Sequence, residues 1–195
     1  MGRVVVFMNL TLDGVVQGPA LPDEDRRGGF ERGGWGSGYD AMTSAGESSP
    51  NFGALLLGRW TYENLFKAWH GRTDDNPFTA RLDSIPKYVA STTLKEPLAW
   101  VNSTLLKGDV AEAVAGLKAK LGQDVDIVMM GSGKLIQTLM QHNLVDRYVL
   151  LIHPLVLGSG RRLFTDGSAF AEFHLVRANA TPKGVVVATY EPASG

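Results

Sequence analysis

The sequence contains no cysteine among its 195 residues. This absence excludes disulfides, thiolate zinc sites and cysteine nucleophiles together, and it agrees with a reducing cytosol. A surplus of either charge is also missing, because 19 Lys and Arg balance 20 Asp and Glu to leave a net charge of −1. The chain therefore has neither a broad basic face for nucleic acid nor a polybasic segment for a membrane.

Long hydrophobic runs are absent as well. The first apolar run, Val4 to Met8, is too short for a signal peptide or a membrane span. We therefore expect a cytoplasmic protein whose partners are small molecules or a second copy of the chain. At 195 residues and 44% hydrophobic content, the sequence is expected to form one domain, 1–195, with its own core.

Motifs for metal-dependent or serine hydrolysis are not present. None of the four histidines, His70, His142, His153 and His174, stands in a His-Glu-x-x-His motif or has close metal-ligand spacing. No serine occupies a Gly-x-Ser-x-Gly elbow. His153 follows an apolar strand and precedes a proline, so we interpret it as a packed or hydrogen-bonded residue.

A strand, a glycine turn and a helix follow one another after residue 126. The apolar run Ile127 to Met130 predicts a buried strand, Gly131-Ser132-Gly133 predicts a turn, and a helical apolar spacing begins at Lys134. Such a turn exposes backbone N–H groups that bind phosphate, although it also serves as a plain strand-to-helix connection. Neither the dinucleotide fingerprint nor the Walker pattern fits these letters.

Two further strand ends carry polar groups. The strand before Gly58 leads into Arg59-Trp60-Thr61, where the guanidinium suits phosphate oxygens or a surface carboxylate, and Thr61 is a plausible N-cap. The strand Lys87 to Ala90 ends in Ser91-Thr92-Thr93, three hydroxyls that either hold a nucleotide or only solvate a loop.

Residues 18–51 are rich in glycine, proline, serine and charge, yet they contain Phe30, Trp35, Tyr39 and Met42. Because a solvated linker has little use for aromatic residues, this segment is expected either to cover a substrate or to pad the core. A short helix is expected near Trp35 to Thr43.

The remaining pattern completes an α/β domain. Asp109 and Glu112 resemble a capping box before a structural helix, and Trp100 to Asn102 is a candidate strand. The segments Phe173 to Ala178 and Val185 to Tyr190 predict a terminal antiparallel hairpin. The alternation of strands and helices predicts a three-layer α/β/α fold with a mostly parallel sheet.

Residues 126–164, taken together, closely resemble the reductase domain of bacterial riboflavin biosynthesis (the RibD C-terminal type), a branch of the dihydrofolate reductase-like superfamily. The order of Gly-Ser-Gly, helix, Leu144-Val145-Asp146, strand, His153-Pro154-Leu155 and Leu157-Gly158-Ser159-Gly160 carries this resemblance. Met8 to Gly14 and Gly58 to Thr61 resemble other parts of the same family, so the similarity runs nearly end to end.

The resemblance implies an NADPH-dependent reductase, commonly a homodimer, that transfers hydride to a small heterocycle. The cofactor-binding residues that it implies are Asn9, Val16, Gly58, Arg59, Trp60, Thr61, Ser91, Thr92, Gly131, Ser132, Gly133, Lys134 and Leu135. Asp13, Trp35 and Asp40 are the candidate catalytic residues on the substrate side.

The sequence departs from the family in two places. Dihydrofolate reductases carry a carboxylate in the helix after the first loop, and the segment Phe30 to Asp40 contains no recognisable copy of it. The zinc deaminase that accompanies the riboflavin reductase is excluded by the lack of cysteine. The leading hypothesis is a reductase like that of riboflavin synthesis, with pterin reduction and non-catalytic NADP(H) binding as alternatives.

Overall fold

The predicted alternation of strands and helices is present in the computed structural model, which describes residues 1–72 and 77–193. The strands in this part of the chain are β1 (Arg3–Thr11), β2 (Phe52–Gly58), β3 (Lys87–Ala90), β4 (Ser103–Leu106), β5 (Asp126–Met129), β6 (Arg147–His153), β7 (Phe173–Ala180) and β8 (Val186–Pro192). The α-helices are α1 (Ala41–Ser44), α2 (Arg59–Trp69), α3 (Pro77–Ser84), α4 (Val110–Lys120) and α5 (Gly133–Gln141).

The chain divides into two compact units. The first contains Met1–Val4 and Asn51–Leu144, and the second contains Val5–Pro50 and Val145–Gly195. The sequence predicts one domain over 1–195, and this boundary prediction stays a prediction.

The first unit is built on parallel strands in the order β4-β3-β2-β5. Two of its strands have unbroken buried runs, Ala54–Leu57 in β2 and Asp126–Met129 in β5. Continuous burial is expected when a parallel strand is covered on both faces. Helix α5 adds Leu135, Ile136 and Leu139 to this core, on one face of the helix.

In the second unit the strand order is β1-β6-β8-β7. Strands β1 and β6 are parallel, while β8 is antiparallel to both β6 and β7. The predicted mostly parallel sheet with a C-terminal antiparallel hairpin is therefore confirmed.

Local predictions failed where a turn or a cap was misread. The segment Trp100 to Asn102 is not a strand, because Asn102 has a φ of 56° and turns the chain, so that β4 begins at Ser103. Helix α3 was not predicted. Thr61 is not an N-cap, since α2 begins at Arg59 and Gly58 takes the cap position.

The segment 18–51 forms short helical turns rather than one helix. Ser37–Tyr39 is a 3₁₀ turn, and α1 follows after Asp40, whose φ of 50° interrupts the helical path. Phe30 is buried, and a side chain at Gly160 would approach its ring to 2.9 Å. At least one aromatic residue of this segment thus pads the core of the second unit.

Lys87 is fully buried in β3, which is unusual for its type. Its Nζ donates to the carbonyl oxygens of Leu82 at 2.6 Å and Ile85 at 2.9 Å, and it lies 4.7 Å from the centroid of a Trp100 ring. Burial lowers the pKa of Lys87 to about 8. The ammonium group therefore closes the end of α3 by satisfying backbone carbonyls.

No helix in residues 1–72 or 77–193 is both long and apolar enough to cross a membrane.

The N-terminus of α4 gives a direct test of local stability. Asp109 accepts hydrogen bonds from the amides of Ala111 at 2.9 Å and Glu112 at 3.0 Å. We expect Asp109→Ala to lower the free energy of unfolding by about 1 kcal/mol, because two helix amides lose their acceptor. Asp109→Ser is the matched control and should retain most of the stability in urea titrations. Equal losses in both variants would contradict the capping role.

Candidate functional site

Three strand ends of the first unit lie at one edge of its sheet. In the parallel pairing, Gly58 of β2 is opposite Ala90 of β3, and Leu55 of β2 is opposite Val128 of β5. The carboxyl ends of the three strands therefore point the same way. In open α/β sheets this edge is where ligands bind.

Ser132 links two of these strand ends. Its Oγ accepts a hydrogen bond from the Gly58 amide at 2.7 Å and donates to Thr61 Oγ1 at 2.9 Å. The Ser132 backbone is left-handed, with φ 67° and ψ 54°. That conformation is uncommon for a residue other than glycine, which indicates that the surrounding contacts impose it.

The two glycines at this junction are required by close packing. A Cβ atom at Gly58 would lie 2.8 Å from Ser132 Oγ, and one at Gly131 would lie 2.8 Å from Thr61 Oγ1. Both distances are too short for ordinary contacts. Glycine is therefore needed at 58 and 131 because the turn after β2 packs closely against the turn after β5.

The N-termini of α2 and α5 receive no hydrogen bond from a capping side chain. The cap position of α2 is Gly58, which has no side chain, and the hydroxyl of Ser132 is directed to Gly58 and Thr61 instead of its own helix. Helix α4, in contrast, is capped by Asp109. Uncapped N-terminal amides together with the helix dipole favour an anion.

Arg59 brings the end of β2 close to the end of β3. Its Nη1 donates to Thr93 Oγ1 at 2.8 Å, and its Nε donates to Glu63 Oε1 at 2.8 Å. The side chain is half exposed, and its other guanidinium N–H groups can donate to a ligand. The surface-carboxylate interpretation of Arg59 is thus correct for Glu63, and it leaves donors for an anion.

The hydroxyl run after β3 has an internal order. Ser91 Oγ accepts from the amides of Thr93 at 3.2 Å and Leu94 at 3.0 Å, which shapes the turn. Thr92 is exposed, and Thr93 is the hydroxyl that reaches Arg59.

The other candidate residues of the first unit differ in whether their side chains are exposed. Trp60 and Lys134 are exposed, whereas the Leu135 side chain is buried, so that only its backbone is available to a ligand. All the candidates from Gly58 to Thr61 and from Gly131 to Leu135 belong to the same unit and border the same strand ends.

The candidates in the second unit include Asn9 and Val16. Asn9 Oδ1 lies 2.8 Å from His153 Nε2, and the parallel register of β1 and β6 places His153 opposite Thr11. The Val16 amide donates to the Arg161 carbonyl at 2.9 Å. Asn9 therefore presents a side chain at the carboxyl end of β6, whereas the Val16 amide is bonded to the segment that follows β6.

His153 is fully buried under two aromatic rings. Trp35 and Tyr39 both meet its ring edge to face, with centroids 5.1 Å and 4.9 Å away. The Trp35 indole N–H also donates to the Gln17 carbonyl at 2.8 Å. Burial lowers the pKa of His153 to about 4, so the ring is neutral at pH 7. Neutral His153 is therefore not a proton donor at that pH.

Asp13 lies in a separate hydrogen-bond network. Its carboxylate accepts from Thr11 Oγ1 at 2.6 Å and from the amides of Leu157 at 3.2 Å and Gly158 at 2.9 Å, and Arg162 approaches at 3.5 Å. The Thr11 hydroxyl and the two backbone amides lower the pKa of Asp13 to about 2. The group is ionised at neutral pH and holds the loop that follows β6.

Asp40 is exposed and forms an ion pair with Lys183, which also donates to the Gly38 carbonyl at 2.9 Å. Trp35 and Asp40 therefore belong to one segment of the second unit, whereas the hydrogen bonds of Asp13 lead to Leu157 and Gly158. The catalytic roles of these three residues stay predictions.

Sequence reasoning missed the positions of two residues. His153 was expected to be packed or hydrogen-bonded, which is correct, but its partner Asn9, a predicted cofactor residue, was not foreseen. The sequence did contain a signal for this pair, because Asn9 lies near the end of β1 and His153 lies at the end of β6. Thr93 was noted only as part of a hydroxyl run, and its contact with Arg59 spans 34 positions.

The strand-end geometry defines an α/β protein in which two helix N-termini without a side-chain cap lie at the carboxyl ends of parallel strands. Residues 3–187 match the RibD C-terminal domain family, and the chain belongs to that family. A similar protein is the uncharacterized YyaP of Bacillus subtilis (strain 168), which is 36% identical over 144 residues, or 70% of this chain and 72% of that protein.

Two solved structures have the same fold. A putative riboflavin biosynthesis protein from Shewanella sp. PV-4 has a TM-score of 0.67 and 22% identity, covering 98% of this chain and 99% of its own. Dihydrofolate reductase from Enterococcus faecalis, complexed with NADP(H), has a TM-score of 0.59 and 15% identity, covering 99% and 98%. The chain therefore has the same fold as these two proteins.

The Asp13 network predicts a pH-dependent stability. The pKa of Asp13 is about 2 in the folded protein and 3.8 in its ordinary state. Its contribution is therefore complete above about pH 4 and is lost as the pH falls towards 2. We expect Asp13→Asn to cost about 1–3 kcal/mol of unfolding free energy at pH 7, because the amide cannot accept all of these bonds.

The measurement is urea unfolding of both proteins between pH 7 and pH 3, with the exposed Asp166→Asn as control. The difference between wild type and Asp13→Asn should shrink at the acid end. A difference that is independent of pH would contradict the assigned protonation state.

Proposed function

We propose that this chain is an NADPH-dependent oxidoreductase that transfers hydride to a small heterocyclic substrate. The reaction is most like that of 5-amino-6-(5-phosphoribosylamino)uracil reductase in riboflavin biosynthesis. The observation that carries the proposal is the pair of uncapped helix N-termini, at α2 and α5, joined by the hydroxyl of Ser132. Family membership supports the same reaction class.

The residues of the first unit fit the phosphates of such a cofactor. Ser132 donates its proton to Thr61 Oγ1, so the Thr61 hydroxyl keeps its own proton for an acceptor. The first amides of α5, from Gly133 onward, supply backbone donors, and Arg59 supplies a cation. Gly133, where a Cβ atom would have no neighbour within 4 Å, leaves room for a phosphate to approach the backbone.

Arg59 and the hydroxyl run after β3 are proposed to select NADPH over NADH. The 2′-phosphate carries charge that a guanidinium binds through charge-assisted hydrogen bonds. The bond from Arg59 to Thr93 fixes the guanidinium beside Ser91 and Thr92, which are the residues proposed for this phosphate. NADH lacks that group, so it would gain nothing from the arrangement.

NADPH would supply the hydride, while the protein binds and orients the reacting groups. The proposed substrate side is in the second unit, where Trp35 offers an aromatic ring and Asp40 an exposed carboxylate. Asp13, ionised and bonded to the loop after β6, is proposed to act by holding that loop. Asn9 and Val16 are proposed to contact the nicotinamide end.

Dihydrofolate or pterin reduction is the alternative reaction on the same fold. It needs a carboxylate that assists protonation of the pterin. Glu31 and Asp40 are the acidic side chains of the relevant segment, and both are exposed, with Asp40 paired to Lys183. This arrangement favours the riboflavin-type substrate.

The experiment that tests the proposal is calorimetric titration with NADPH and NADH. We expect Arg59→Ala to weaken NADPH binding about tenfold to a hundredfold, in line with the loss of a charge-assisted hydrogen bond, and to change NADH binding much less. Arg81→Ala is the control, because Arg81 donates to the Phe52 carbonyl at the opposite end of β2. Equal losses for both cofactors would contradict the selection of NADPH.

Turnover separates the reductase from a non-catalytic nucleotide-binding protein. NADPH oxidation is followed with 5-amino-6-(5-phosphoribosylamino)uracil and with dihydrofolate. Turnover of the first compound supports the proposal, turnover of only the second favours the pterin alternative, and binding without any turnover favours the non-catalytic class.

We also propose that the chain forms a homodimer through β7 and its neighbours. In the described residues β7 pairs only with β8, and it exposes large apolar side chains. The exposed fractions are 57% for Leu175 and 53% for Val176 in β7, and 40% for Val186 in the neighbouring β8. An edge strand with such residues is a suitable surface for a second copy.

Leu175→Glu is expected to shift the protein from dimer to monomer at micromolar concentration, because a charge would be buried in the interface. Val101→Glu is the matched control, since Val101 is 54% exposed in the first unit. Light scattering after gel filtration measures both masses. A monomeric wild-type protein would contradict the dimer.

A further inference from the structure

The Asn9 carboxamide has a defined orientation. Its Oδ1 lies 2.8 Å from His153 Nε2, and its Nδ2 lies 3.5 Å from the sulfur of Met42. A thioether sulfur has no hydrogen and can only accept, so the group that faces Met42 must be the NH₂. The oxygen of Asn9 therefore faces His153.

This orientation fixes the tautomer of His153. An oxygen acceptor at Nε2 requires the ring hydrogen on Nε2, and a neutral imidazole carries only one hydrogen. Nδ1 is then a bare acceptor. It is buried and has no hydrogen-bond partner among the residues that the structure describes.

An unpartnered polar atom in the core is unfavourable. Leucine or methionine at position 153 would fill similar space under Trp35 and Tyr39 without leaving Nδ1 unsatisfied. What those residues could not provide is the Nε2–H bond to Asn9. The histidine is therefore explained by what it does to Asn9 rather than by packing alone.

We propose that His153 is a positioning residue that holds the Asn9 carboxamide so that its NH₂ group donates to a carbonyl oxygen of the bound ligand. Asn9 is half-buried, and within the described part of the chain its NH₂ donates only to the Met42 sulfur, a weak acceptor. A carbonyl oxygen would be a much stronger acceptor for this group.

The ligand chemistry is a ring that carries a carbonyl or carboxamide oxygen. This part of the inference rests on the proposed reductase function, in which two ligands have such an oxygen. One is the carboxamide of NADPH, and the other is a ring carbonyl of the pyrimidine substrate.

The first experiment tests positioning without any ligand. Nitrogen-15 NMR of labelled histidine reports which ring nitrogen carries hydrogen, and His153→Gln identifies the His153 signals. We expect Nε2–H at pH 7. The Asn9 side-chain NH₂ signals should move in His153→Met and move less in His153→Gln, because a glutamine amide can donate from near the Nε2 position. An Nδ1–H tautomer, or equal shifts in both variants, would overturn the proposal.

The second experiment tests the ligand contact. We expect His153→Met to weaken one ligand about threefold to tenfold, as for the loss of one well-placed hydrogen bond, and His153→Gln to restore part of the loss. Weaker NADPH binding with unchanged binding of 2′-phospho-ADP-ribose, which lacks nicotinamide, indicates the cofactor carboxamide. An unchanged NADPH dissociation constant with a raised KM for 5-amino-6-(5-phosphoribosylamino)uracil indicates the substrate carbonyl. Exposed His142→Met is the control.

A double-mutant cycle decides whether His153 acts through Asn9. In the Asn9→Ala background, His153→Met should add little further loss, because the group that it positions is already absent. Additive losses would overturn the positioning role. If wild-type protein binds no NADPH, the reductase proposal fails, while the NMR result still decides the tautomer and the orientation of Asn9.

Discussion

The candidate site of the first unit depends on the two hydrogen bonds of the Ser132 hydroxyl. It accepts from the amide of Gly58 and donates to Thr61, so one side chain joins the turns after β5 and β2. The left-handed backbone of Ser132 has an energetic cost, and the close approach of Gly58 and Gly131 excludes any side chain at those positions. As a result the hydroxyl does not cap its own helix, and the N-terminal amides of α5 have no side-chain acceptor. A structural helix such as α4 has no need of this arrangement and is capped by Asp109.

In the second unit the corresponding pair of polar groups is His153 and Asn9. His153 contributes no charge, because burial keeps its pKa at about 4. Its role is to orient the Asn9 amide through the Nε2–H hydrogen bond. The rings of Trp35 and Tyr39 prevent water from replacing that bond. Ser132 thus orients the Thr61 hydroxyl, and His153 orients the Asn9 amide. Each arrangement has a cost in stability, namely the left-handed backbone of Ser132 and the unpartnered Nδ1 of His153.

Local signals in the sequence predicted the parts of this structure that depend on neighbouring residues. The buried strands, the glycine turns at Gly58 and Gly131, the Asp109 cap and the terminal hairpin were readable because periodicity and turn chemistry are local. Contacts between distant positions were not readable. Asp13 and Gly158 are 145 positions apart, and nothing in a loop Asp before glycine indicates a carboxylate that holds a second loop. Lys87 was assigned to a strand, but its burial depends on the carbonyls at the end of α3.

The protonation states restrict the chemistry of the proposed reductase. Reduction of a C=N or C=O group needs a hydride and a proton. Asp13 is already ionised at neutral pH, with a pKa of about 2, and His153 is neutral, with a pKa of about 4, so neither has an acidic proton to give. The proton must then come from another source, such as water, the substrate itself or another side chain on the proposed substrate side.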